Sequence, residues 1–134
     1  MQIVHQADEF ESALKLCQSR AKSAFGDERV FVEKYIQGAQ HVEFQVLADG
    51  KNAIHFGERF CSIQRRHQKL VEEGPWLTDE KRSEIGSLVC KGAEAVGYKG
   101  LATFEFLRDA NGDFYFLEVN PRVQVEHTVT ELIT

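Results

Sequence analysis

The stretch that decides the fold is FYFLEVNPRVQVEH, residues 114–127. Read as one extended strand, it places Glu118, Asn120, Arg122, Gln124 and Glu126 at every second position. Alternate side chains of a strand share a face, so these polar groups point together while Val119, Val123 and Val125 pack behind them. A row of carboxylates, amides and a guanidinium is ligand chemistry. A solvated strand face is the plainer alternative.

The preceding strand strengthens the first reading. LATFEFLR, residues 101–108, is joined to residues 113–119 through Asp109-Ala110-Asn111-Gly112. Asn-Gly between alternating apolar runs predicts a two-residue type I′ hairpin turn, which pairs Ala110 with Asp113. Counting back along that ladder sets Glu105 opposite Glu118. Their Cβ atoms would then stand roughly 4.5–5.5 Å apart, where like charges repel. Such a pair needs a shared proton or a cation between its members. Mg²⁺ is held by one or two carboxylates together with substrate phosphates, so the hairpin reads as a magnesium–nucleotide site. A bulge that turns one glutamate to solvent is the alternative.

Composition bounds the rest. With 134 residues, 43% of them hydrophobic, the chain is long enough for one modest core. A net charge of −5 and the lack of a basic stripe argue against a nucleic-acid partner. No apolar run reaches membrane-spanning length, and residues 1–25 show no signal-peptide pattern. Cys17, Cys61 and Cys90 are too scattered for a zinc-ligand pair and suit a reducing, cytoplasmic setting.

Along the chain, residues 1–5 read as a short strand. A helix starts at Asp8 with a capping box to Glu11 and stops at Gly26. Its apolar stripe is Phe10, Ala13, Leu14, Cys17, Ala21 and Ala24. Residues 30–36 form a β-rich run. Residues 41–48 alternate Val42, Phe44 and Val46 against His41, Glu43 and Gln45, and Asp49-Gly50 turns them into a second hairpin strand at 52–60. Residues 62–69 are a cationic connection. Thr78 caps a helix to about Val96, with Ile85, Leu88, Val89, Ala93 and Val96 inward. Phe104, Phe106 and Tyr115 should pack on the far face of the 101–119 hairpin. The order β-α-β-β-β-α-β-β predicts an α+β fold with a largely antiparallel sheet and flanking helices.

EVNPRVQVEHTVTE, together with ERFCSIQRRHQKLVEE at residues 58–73 and VFVEKYI at 30–36, resembles the biotin carboxylase component of biotin-dependent carboxylases, members of the ATP-grasp superfamily. The likeness spans essentially the whole chain. It implies an ATP-grasp fold fragment: residues 1–33 as the end of the lid subdomain, and 34–134 as a truncated metal- and nucleotide-binding half. Glu105, Glu118 and Asn120 match the site for Mg²⁺ or Mn²⁺. Arg122, Gln124, Val125 and Glu126 match the bicarbonate site, with Glu126 as general base. Lys69 and His67 match groups beside the phosphates. Glu33, Lys34 and Ile36 match the adenine hinge, His41 and Gln64 the ribose contacts, and Leu107 an apolar contact under adenine.

The resemblance implies carboxylation of biotin by ATP and bicarbonate through carboxyphosphate. Biotin, free or on a biotinylated carrier domain, is the acceptor, and a carboxyltransferase component and a homodimeric parent are expected. A carboxylate within reach can take the proton of bicarbonate as it attacks the γ-phosphate, and a planar guanidinium binds that anion through paired hydrogen bonds. Phosphoryl transfer is otherwise positioning and charge neutralisation.

The chain departs from the pattern as well. It lacks the glycine-rich phosphate loop that family members carry earlier, so it is expected to be an incomplete, catalytically inactive part of the domain. Phe60 stands where an aspartate is usual. The loops at 49–52 and 74–77 are shorter by about one and two residues. A non-catalytic binding or assembly module and an ATP-grasp ligase of the carbamoyl-phosphate type are the alternatives, the QVEH run at 124–127 weighing against the latter.

Overall fold

The computed structural model describes residues 1–65 and 68–134, in two compact units, Met1–Ile36 and Gln37–Thr134. In the first, a 3₁₀ turn at Ala7–Glu9 leads into helix α1, Phe10–Phe25. The cap lies upstream of the expected Asp8–Glu11 box: the Glu9 carboxylate accepts the backbone N–H groups of His5 at 3.0 Å and Gln6 at 3.4 Å. Gly26 ends the helix in the left-handed region, as its lack of Cβ permits. Residues 1–5 and 30–36, expected as strands, carry no ladder. β-branched composition favours a strand only where a neighbour pairs with it.

The second unit is one antiparallel sheet. Its strands are β1 (Gln40–Asp49), β2 (Ala53–Arg65), β3 (Gln68–Glu73), β4 (Lys99–Arg108) and β5 (Phe114–Asn120), in the order β3-β2-β1-β4-β5. Helix α2, Asp79–Ala95, joins β3 to β4, and α3, His127–Ile133, follows β5. The expected cationic connection at 62–69 is therefore the β2–β3 hairpin, with Arg66 and His67 outside the described residues.

One sheet face holds the apolar core. Val42, Phe44, Val46 and Ala48 of β1 meet Ile85, Val89 and Ala93 of α2, with Phe60, Phe104 and Phe106 around them. Thr78 Oγ1 accepts the Lys81 N–H and opens the helix as expected. Ile85, Val89 and Ala93 recur every four residues and make a narrow inward row. Leu88 and Val96, expected inward, lie beside that row and are exposed. At Gly86 α2 packs tightly on a β2 side chain, since a Cβ there would sit 2.4 Å from the His55 ring.

Phe60 and the 74–77 loop, both singled out in the sequence, meet in one feature. Phe60 stacks on Trp76 with ring centroids 4.6 Å apart, and the Arg108 guanidinium lies 5.2 Å from the Trp76 ring. The 74–77 loop thus delivers an indole onto Phe60.

The 114–127 stretch is not one strand. Pro121 has no N–H for a ladder, and β5 stops at Asn120. Residues 121–126 turn back over the sheet into α3, with Arg122 N–H donating to Asn120 O and His127 N–H to Gln124 O. Val123 and Val125 consequently do not pack behind the polar row and are exposed, Val125 by 87%; Val119 does lie on the far face, opposite Phe104, but on an edge strand that leaves it partly open.

Candidate active site

The face of the sheet opposite α2 carries a polar cluster around the first half of β1, and that cluster is buried. The pairings His41↔Leu107, Glu43↔Glu105 and Gln45↔Thr103 set these β1 and β4 residues side by side. Arg59 of β2 joins them through its pairing with Glu43. β1 is the middle strand, so α3 and the 121–126 turn close over its polar side. Glu43 and Gln45 are fully buried, Arg59 and Glu105 nearly so.

Glu105 and Glu118 are directly opposed, as the hairpin count required. The turn reaches that result by another route. Arg108 pairs with Phe114, and Asp109 N–H donates to Asp113 O, so the loop has three residues, with Gly112 at φ +91°. That register is one residue short of the predicted one. A bulge at Leu117, between the Phe106↔Phe116 and Glu105↔Glu118 pairs, restores it. The bulge also changes the parity of β5: Tyr115 pairs with Leu107 and shares the site face instead of joining Phe104 and Phe106.

Asn120 Nδ2 links the two carboxylates, donating to Glu105 Oε1 at 3.0 Å and Glu118 Oε1 at 3.1 Å. Gln124 Nε2 donates to Glu105 Oε1 at 3.2 Å. Gln64 Nε2 donates to His41 Nδ1 at 3.1 Å, which leaves the Nε2–H of His41 to meet Glu105 Oε2 at 2.7 Å. Lys69 Nζ lies 2.5 Å from Glu43 Oε2, 3.1 Å from Glu126 Oε1 and 3.3 Å from Glu105 Oε1. Burial opposes charge on Glu105, but the His41 hydrogen bond, Lys69 and Gln124 outweigh it and hold its carboxyl at about 2. Burial likewise works against Glu126, whose carboxyl is still held below the usual range by a backbone hydrogen bond and Lys69. Burial works against the charged Lys69 too, and Glu43 and Glu105 override it, raising that ammonium.

Eight expected residues therefore meet in one connected network: His41, Gln64, Lys69, Glu105, Glu118, Asn120, Gln124 and Glu126. Leu107 lies beside it on the same sheet face. Arg122 is exposed and donates to Val123 O at 3.2 Å, and Val125 points to solvent. Glu33, Lys34 and Ile36 belong to the first unit, the two charged residues being exposed there. His67 lies outside the described residues.

Sequence reasoning missed Glu43, Arg59, Gln45, Thr103 and Thr130. Arg59 Nε donates to Glu43 Oε1 at 2.6 Å, and its Nη atoms reach Gln45, Thr130 and Thr103. The available signal was the polar alternation of 41–48 on a strand with pairing runs on both sides; a middle strand cannot leave that face wet unless nothing covers it. Glu72 was missed as well: burial, then Glu126 and Glu43, push its carboxyl up.

The donor set suits a hard divalent cation. Among the described residues of the network, the carboxylates of Glu43, Glu105, Glu118 and Glu126 face the cations Lys69 and Arg59, an excess of two negative charges. Glu105, Glu118 and the Asn120 amide offer oxygen ligands. Gln124 Oε1 is buried without a hydrogen-bond partner among the described residues, an acceptor left for a ligand. His41, Glu43 and Cys61 also have potential ligand atoms within 4.8 Å of one another. Arg59, Lys69 and Glu105 already occupy the first two, and burial followed by Glu43 pushes the Cys61 thiol up, keeping it protonated.

Comparison with known proteins shows the family. Residues 1–134 match the family model of the carbamoyl-phosphate synthase L chain, ATP binding domain, and the chain belongs to that family. Its relatives narrow the assignment. It is similar to the biotin carboxylase of Allochromatium vinosum (51% identity, all of this chain and 30% of that protein) and to a pyruvate carboxylase subunit of Methanothermobacter thermautotrophicus (53%, all of this chain and 28% of that protein).

The fold is that of biotin carboxylase ATP-grasp structures. The TM-score is 0.93 to the β-γ-ATP complex of the Campylobacter jejuni enzyme (49% identity, 99% of this chain, 30% of that one). It is 0.92 to the biotin carboxylase domain dimer of Hydrogenobacter thermophilus 2-oxoglutarate carboxylase with MgADP, ADP and bicarbonate (48%, 99% and 30%). The chain thus spans about 30% of the length of these relatives.

Proposed function

We propose that this chain is the metal- and phosphate-binding part of an ATP- and Mg²⁺-dependent biotin carboxylase, itself without turnover when isolated. The observation that carries the reading is the junction of the Glu105–Asn120–Glu118 set with Lys69 and Glu126 through shared hydrogen bonds. One end of this network offers oxygen ligands for a cation, and the other a carboxylate base with an ammonium partner. The bound Mg²⁺ would supply charge neutralisation for the polyphosphate; Glu105, Glu118 and Asn120 would hold it.

Glu126, kept ionised beside Lys69, is in the form a general base requires. When the negative charge of bicarbonate and phosphate draws Lys69 away, Glu126 loses its counter-charge and becomes more basic. It then takes the bicarbonate proton as the oxygen attacks the γ-phosphorus and ADP leaves. Carboxyphosphate gives CO₂ and phosphate, the phosphate takes the ureido N–H proton of biotin, and that nitrogen bonds to CO₂. Arg122 and Gln124 would bind the bicarbonate, with Val125 contributing its backbone. Gln124 Oε1, already buried and unpartnered among the described residues, supports that placement. His41 and Gln64 are assigned to the ribose, Leu107, Glu33, Lys34 and Ile36 to the adenine, and His67 to the phosphates.

Residues 1–33 would belong to the lid, and the parent would be a homodimer serving a biotinylated carrier and a carboxyltransferase. Three unpaired cysteines favour a reducing compartment, which we take to be the cytoplasm. The relatives' names, biotin carboxylase among them, support this over a carbamoyl-phosphate ligase.

Calorimetry with a non-hydrolysable MgATP analogue tests the site. Wild type should bind weakly, and Glu118→Gln should lose affinity about tenfold or more. Equal affinities for the two proteins would reject the metal assignment.

A further inference from the structure

Arg59 has no part in the chemistry proposed above, yet it is the most enclosed cation among the described residues, 1% exposed. Its guanidinium spends its donors on two neighbouring strands and a helix. Nε donates to Glu43 Oε1 on β1 at 2.6 Å, Nη1 to Gln45 Oε1 on β1 at 2.9 Å and to Thr130 Oγ1 on α3 at 2.7 Å, and Nη2 to Thr103 Oγ1 on β4 at 3.3 Å. Gln45 Oε1 also meets His127 Nδ1 at 3.1 Å, a second tie to the start of α3.

Both members of the Lys69–Glu126 pair hang from this hub. Glu43 accepts Arg59 on Oε1 and Lys69 on Oε2, so the guanidinium fixes the carboxylate plane that aims the ammonium. Glu126 immediately precedes α3, whose inner residue Thr130 is held by Arg59. We infer that Arg59 is a positioning residue that sets the separation and orientation of Lys69 and Glu126 from the floor of the network, through Glu43 on one side and Thr130 on the other. The inference rests on the reading of that pair as the ammonium and base of the reaction. A lysine could supply the charge at residue 59, but it cannot span Glu43, Thr130 and Thr103 with fixed planar geometry.

The test is NMR of the ¹⁵N-labelled chain, following solvent exchange of the Lys69 ammonium protons and of backbone amides. In Arg59→Lys the Lys69 ammonium should exchange about tenfold faster, the scale of one charge-assisted hydrogen bond, and α3 amides should open similarly. Amides of α2, on the far side of the sheet, should keep their protection, which a general loss of stability would not allow. Thr130→Val should open α3 as much but speed Lys69 exchange less than Arg59→Lys does, because it loosens only the Glu126 contact and leaves the Glu43 arm intact. A folded Arg59→Lys protein with wild-type exchange at Lys69 overturns the inference. Should that variant not fold, Thr130→Val decides: unchanged α3 exchange refutes the coupling. A titration with the MgATP analogue runs separately, so a wild type that binds no nucleotide counts against the proposed function while the exchange data judge Arg59.

Discussion

Glu105 and Glu118 face each other across β4 and β5 because two irregularities offset one another. The three-residue turn at Ala110–Gly112 shortens the register by one, and the bulge at Leu117 lengthens it again. A direct pair of like charges costs stability unless something lies between them. Here the Asn120 amide donates to both, and Glu105 is further held by His41, Lys69 and Gln124 while Glu118 stays exposed.

That asymmetry separates binding from stability. Glu118→Gln removes an exposed, repelled charge, so urea unfolding should move by no more than about 0.5 kcal/mol. Mn²⁺-induced broadening of signals near Asn120 should nevertheless shrink sharply. A large stability loss would mean that Glu118 serves the fold.

Glu43→Gln should be costly. It leaves Arg59 and Lys69 buried with one shared counter-charge gone, a change worth about 3–5 kcal/mol for a buried pair broken on one side. Denaturant titration should show the midpoint falling with an unchanged slope; a shift below about 1 kcal/mol would show that water reaches the site.

Acid should destabilise the second unit through identifiable carboxylates. The folded value of Glu105 is about 2 against 4.5 for the free side chain, so its contribution is present above 4.5 and lost as pH falls toward 2. Glu58 acts in the same direction. Burial opposes its charge, but Arg82 and the backbone N–H groups of Leu77 and Trp76 hold its carboxyl down, so its contribution also fades as pH drops below 4.5. Thermal melts from about pH 7 to about pH 3, read at Trp76, should show a Tm that declines less steeply in Glu58→Gln. Parallel declines would remove Glu58 from the account.

Gly86→Ala reverses a familiar sign. Alanine in a helix is usually favoured over glycine by about 1 kcal/mol, but here the new Cβ would meet the His55 ring at 2.4 Å. A loss of about 1–3 kcal/mol is expected, as for other overpacked sites. His55→Ala should rescue it, and additive effects in the double-mutant cycle would disprove the contact.

Much of the site was legible in sequence because period-2 alternation on a paired strand assigns a face whatever packs later. That logic brought Glu105, Glu118 and Asn120 together, and it put His41 and Gln45 on one side of β1. It failed past Pro121, where the missing N–H ends the ladder and the chain turns; Arg122 left the row there, and Val125 turned to solvent instead of packing behind it. It failed too at residues 1–5 and 30–36, where strand-like composition met no partner strand in the described structure.

By itself, the sequence determined the β1–β2 and β4–β5 hairpins, the apolar face and the identity of the charged groups, all properties of neighbours along the chain. Only the tertiary structure decided that the polar side of β1 is sealed, because burial depends on what α3 and residues 121–126 lay over it. Sealing raises the strength of every charge interaction beneath, and so turned an ordinary row of Glu, Gln and Arg into one network centred on Arg59.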